Sequence, residues 1–202
     1  YRRPQVSLWQ TAKIGENSNV TFAGGFFRTI GNDLTPTFTL AVGETAEGTD
    51  DGTDAGIPSI QGLVDFNLKA TSGAKVRFGL SGLWGRLKAE TTLGNEEKYE
   101  SWGTVGHFRM DLTNGFGVQG EVYTGENLGS YFGGTARNST VDGLGSTGGW
   151  GTAFVQATPK VNLAVGVGID DVNDEDITDS RSKNTAYFGT VRYAIVPQVT
   201  LG

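Results

Sequence analysis

The chain has 202 residues with a net charge of −6, 32 glycines, no cysteine, 37% hydrophobic residues and 19% charged ones. That length suits one large β-domain or two small ones, the glycine share is roughly twice the usual ~7%, and the lack of cysteine excludes disulfide scaffolds and thiolate metal sites. The negative charge, with no Lys/Arg cluster against it, argues against a nucleic-acid surface, and no window approaches the ~20 consecutive apolar residues of a membrane-spanning helix.

In chain order, alternating runs predict about ten strands: residues 5–14, 20–30, 57–70, 75–86, 102–112, 116–124, 150–157, 161–169, 185–196 and 199 onward. The opening "YRRPQVSLWQ" has no apolar signal segment, so the chain is either mature or a piece of something longer. Most runs approach the ~9–11 residues that a tilted strand needs to cross a bilayer, against ~5–6 for a typical globular strand. Between them, Thr71-Ser72-Gly73, Thr113-Asn114-Gly115, Thr158-Pro159 and Val196-Pro197-Gln198 read as tight turns. Long polar loops are expected at residues 31–56, 88–101, 125–149 and 170–184. This alternation of short and long connections is what an outer-membrane barrel shows, with turns on one rim and loops on the other.

One face of each run is apolar: Val64, Phe66 and Leu68; Val76, Phe78, Leu80 and Trp84; Val161, Leu163, Val165, Val167 and Ile169; Tyr187, Val191, Tyr193 and Ile195. The opposite faces carry Asp65, Asn67 and Lys69, then Lys75, Arg77 and Ser81, then Asn162, then Thr190 and Arg192. The hairpin across Asn114-Gly115 repeats the pattern, with Phe108, Met110, Leu112, Phe116, Val118 and Val122 opposed to Arg109, Asp111, Gln119 and Glu121. Alternation alone fits a soluble sheet or a barrel turned inside out. The polar faces are richer in glycine and charge than a buried face tolerates, which points the apolar side toward lipid. Trp84, Trp102, Trp150 and Tyr187 fall near the long-loop ends, where an interfacial aromatic girdle would sit. The fold class expected is therefore all-β, an antiparallel transmembrane β-barrel. The alternative is a soluble β-sandwich, a cell-surface binding protein or adhesin.

Three segments, "RRPQVSLWQTAKIGENSNVTFAGGFF", "GWGTAFVQATPKVNLAVGVGIDDVND" and "TAYFGTVRYAIVPQVTLG", resemble the DcaP-type trimeric porins of bacterial outer membranes. In that family they form a strand after an Arg-x-Pro-Gln-Val lead-in, a Gly-Trp-Gly at a loop exit, and a hairpin turning at a proline. The resemblance implies a homotrimer in the outer membrane of a Gram-negative bacterium, in contact with lipid and lipopolysaccharide. It also implies a water-filled channel for passive diffusion of small polar solutes. The family has a periplasmic segment and strands that would precede Tyr1, and barrels end on an aromatic-terminated strand. Residues 1–202 are thus expected to be a single-domain internal portion of a larger barrel.

Enzymatic motifs are weak. Gly143-Leu144-Gly145-Ser146-Thr147-Gly148 matches a dinucleotide fingerprint but precedes a strand rather than a helix. His107, the one histidine, shares its face with Arg109 and Asp111 and should lie opposite Glu121. A His/carboxylate pair can serve hydrolysis, but with no nucleophile elbow a hydrogen-bonded histidine in a charged wall is the reading adopted. "DDVNDEDITD" and "ETAEGTDDGTD" lack the spacing of a calcium loop and read as solvated charge, with loose divalent-cation binding beside lipopolysaccharide as the alternative. Asn138-Ser139-Thr140 carries little weight as a glycosylation acceptor. No catalytic residue, metal or cofactor is expected. The pore-lining candidates are Asp65, Lys69, Lys75, Arg77, His107, Arg109, Asp111, Glu121 and Arg192, five bases against three acids besides the histidine, which favours anionic solutes.

Overall fold

The alternating runs pair with their chain neighbours into one antiparallel meander. The computed structural model describes residues 5–28, 56–70, 73–90, 96–112, 115–129, 143–173, 182–196 and 199–201. Ten strands form a single sheet in sequence order: β1 (Gln5–Lys13), β2 (Asn19–Phe27), β3 (Ser59–Lys69), β4 (Lys75–Glu90), β5 (Glu96–Asp111), β6 (Phe116–Glu126), β7 (Gly145–Thr158), β8 (Val161–Val172), β9 (Lys183–Val196) and the short β10 (Val199–Leu201). The protein is all-β, and among the described residues no strand joins β1 to the far edge, so the sheet is open. No helix among them is long and apolar enough to cross a membrane, which says nothing of strands.

The tight connections close as their residues dictate. Gly115 takes φ 79°, and its amide bonds back to the Leu112 carbonyl at 3.2 Å while the Leu112 amide reaches the Phe116 carbonyl at 2.8 Å. The Gly115 carbonyl also accepts from the Gln156 amide at 2.8 Å, tying this turn to β7. Ala70 closes on Ala74 at 2.8 Å, and the Thr158 hydroxyl caps the Lys160 and Val161 amides.

Three of the expected long loops are shorter than the sequence suggested. Residues 88–90 and 96–101 extend the β4–β5 hairpin, Gly125 and Glu126 complete β6, β7 begins at Gly145, and Asp170 to Val172 continue β8. Polar composition had marked these segments as loop. They remain paired because ladder hydrogen bonds do not depend on side-chain polarity. Residues 44–54, 138–140 and 174–179, which carry most of the acidic runs and the Asn-Ser-Thr triplet, lie outside the described residues.

Cross-strand register sorts the side chains cleanly. Asn19, Asn67, Arg77 and Arg109 succeed one another across β2 to β5 on one face, and Val20, Phe66, Phe78 and Phe108 do so on the other. The apolar face is open to its surroundings: Leu8, Leu80, Val122, Val165, Tyr187 and Val191 are each 60% exposed or more. Phe66 and Phe78 stack there with centroids 5.1 Å apart. The polar face is the more enclosed, holding buried Asp65 at 3% exposure. This inverts the layout of a soluble sheet, in which the apolar face is covered.

Candidate functional site

All nine candidate wall residues lie on the polar face, which the register of β3 through β9 makes continuous. Asp65 on β3 is the hub. It accepts from Arg77 Nε at 2.9 and 3.0 Å, from His107 Nε2 at 2.9 Å and from Asn67 Nδ2 at 3.0 Å. A carboxylate this enclosed is stable only when its lone pairs are filled, and here three donors fill them.

Asp65, Gly79 and His107 stand in register on three successive strands. A Cβ on Gly79 would lie 2.6 Å from His107 Cε1, so glycine is what lets the imidazole cross β4 to reach Asp65. His107 does stand opposite Glu121 in the ladder, as the sequence suggested, but its side chain turns the other way. Glu121 instead accepts from Trp150 Nε1 at 3.1 Å. The His/Glu juxtaposition is therefore not made.

That bond also corrects the girdle assignment for Trp150, which faces the polar side. On β7 Gly149, Gly151 and Ala153 lie on the apolar face and Trp150, Thr152 and Phe154 on the polar one, so the bulkier set lies on the polar face. Trp84 and Trp102 are a direct cross-strand pair on the apolar face, and Tyr187 lies there too, 83% exposed. Beyond that pair, Glu100 accepts from Arg86 Nη2 at 3.1 Å and Trp84 Nε1 at 3.3 Å, and these bonds hold its carboxyl below the usual range.

A second cluster begins at Arg109. It forks onto Asp111 at 2.9 and 2.8 Å, donates to Gln119 at 2.8 Å, and lies 4.8 Å over the Phe154 ring. With Trp150, Asn162, Phe188 and Arg192 it lines a hollow of about 670 Å³. Phe154 lies over Gly117 and Phe188 over Gly166, so both rings run along the sheet rather than standing off it. Lys69 and Lys75 are directly opposed, and Lys75 is opposed in turn to Asp111.

Sequence reasoning missed Lys13, whose place in the ladder beside Asn19 puts it on this face, and Asp170, read as loop, which bonds the Tyr123 hydroxyl. The described side chains of the face then number six bases and four acids, an unchanged basic excess. Periodicity carried to residue 170 would have found Asp170. Gly145 to Gly148 of the glycine motif belong to β7, with no helix following. Among the described residues, no three His, Asp or Glu side chains are grouped to hold a metal. Comparison with protein families, characterised proteins and solved structures finds no match for this chain.

Proposed function

We propose that the sheet is the wall of an outer-membrane β-barrel porin, its apolar face against lipid and its polar face lining a water-filled channel for small polar solutes. The observation that carries this reading is the pairing of an exposed apolar face with an enclosed charged one. Exposed apolar surface on a soluble monomer seldom exceeds a few hundred Å² in one patch, whereas here exposed large apolar side chains stand on eight of the strands from β1 to β9, Leu8 and Tyr193 at the two ends. Lipid is a covering that leaves no core partner to be found. The open edges support it too, since closure, directly or through further strands, removes the unpaired main chain.

The resemblance to DcaP-type porins supports a homotrimer and passive diffusion, and the basic excess of the wall supports a preference for anionic solutes. Soluble surface proteins do not need amphiphiles. The full-length protein should therefore require detergent to stay monodisperse and should migrate differently on a gel before and after boiling. Monodispersity in plain buffer would end the porin reading.

A further inference from the structure

The polar face is not polar along its whole length. Toward the rim opposite the tight turns, β1 to β5 place Trp9, Phe27, Leu63, Leu83 and Val105 on it, around a hollow of about 330 Å³. Ser81 lies between Leu63 and Val105, and Gln61 between Gly25 and Leu83, giving the few polar groups such a hollow needs to orient a guest. An apolar lining facing water gains nothing by itself. We propose that this hollow is a binding subsite for the hydrocarbon tail of an amphipathic organic anion, a medium-chain monocarboxylate whose head is taken by Arg77. The proposal rests on the porin reading and names a solute class for that lumen.

The charged end is set by geometry. One step toward the turns from Leu63 and Val105, the same face carries Asp65 and His107. Arg77 stands opposite Asn67, yet its Nε reaches Asp65, so its guanidinium sits a step nearer the hollow than its backbone does. Its side chain is 53% exposed, and its two terminal nitrogens make no bond among the described residues. A carboxylate can dock on those nitrogens without displacing Asp65, whose own charge is met by Arg77 and by donors from His107 and Asn67. From Gly79, the level at which the guanidinium meets Asp65, to Ser81 is two residues, about 7 Å of strand at ~3.3 Å each, a span an eight-carbon acid can bridge.

Sodium salts of acetate, butanoate, hexanoate and octanoate, added to single channels of the full-length protein, test this. Each methylene taken fully out of water is worth about fourfold in affinity, so current-block dwell times should lengthen with tail length by up to that factor per carbon. Octanoate should outlast neutral octanamide, and Arg77→Gln should erase that difference. Leu63→Ser with Leu83→Ser should flatten the length dependence. Should that pair fail to fold, Ser81→Leu should steepen it. Dwell times independent of tail length, with conductance intact, would overturn the subsite and leave the porin standing. If no channel forms, the porin reading fails, and binding is then read from Trp9 emission in lipid nanodiscs as the difference between wild type and Trp9→Phe. A blue-shifted Trp9 that octanoate does not alter would mean the chain itself covers the hollow, which also overturns the subsite.

Discussion

Gly79 is a residue whose absence of a side chain does the positioning. A methyl there would meet the His107 ring and the Val64 carbonyl, so Gly79→Ala should push the imidazole off Asp65. Losing a hydrogen bond to a charged, largely enclosed carboxylate costs about 1–3 kcal/mol, readable from unfolding in detergent. In a His107→Ala background the cost should shrink, because the ring is no longer there to be displaced. An undiminished cost would place the strain on Val64 instead. Glu100 supplies a pH readout at the same scale. Its carboxyl is depressed below the ordinary value of 4.5, so its bonds to Arg86 and Trp84 are complete above that value and are lost as pH falls through the lower, folded one. The Trp84 emission change should therefore have its midpoint below 4.5, and Glu100→Gln should abolish it. A midpoint at or above 4.5 would show that those bonds do not form in solution.

The two faces of each strand make opposite demands on substitution. Val165 is 66% exposed on the apolar face of β8, and Ala164 beside it points to the polar face. If lipid covers the former, Val165→Arg should destabilise the folded protein in bilayers by about 2–4 kcal/mol near the midplane. Ala164→Arg should cost far less, and equal costs would contradict the assignment of faces. All ten strands were legible because period-two alternation is a backbone consequence, insensitive to what lies on either side. Their ends were not. Glu96 to Ser101 read as loop by polarity, yet they pair with Gly85 to Glu90. On β7 the periodicity was visible but its sense was not, since glycine and alanine occupy one face and Trp150 looked like a girdle residue until Glu121 accepted its indole N–H. That the nine candidate residues share one face was legible, whereas the Asp65 hub was not, because it needs three strands to be laid side by side.

For the whole molecule, the sheet fixes two rims, and each makes its own prediction. The turns at Gly73, Gly115 and Pro159 fall on one rim, and the long connections 28–58, 127–144 and 173–182 on the other. In outer-membrane barrels the long connections face outward. Trypsin on intact cells should then cut after Arg137 or Arg181 and spare Lys160, and cutting at Lys160 alone would reverse the topology. Charge separates in the same way. The net −6 includes the acidic runs within 44–54 and 174–179, while the described polar face carries six bases and four acids. In the proposed channel a permeating ion would spend its passage beside this face, where a low-dielectric surround would strengthen each charge, so the face should outweigh the mouth. Three of its bases are differently committed: Arg77 holds Asp65, Arg109 holds Asp111, and Arg192 makes no bond among the described residues. Replacing all three by serine should move the reversal potential under a salt gradient toward the cation side while conductance persists. Arg192→Ser alone should account for the largest single share, since its charge is the least neutralised. A cation-selective channel left unchanged by the triple replacement would remove these arginines as the filter and leave selectivity to the loops.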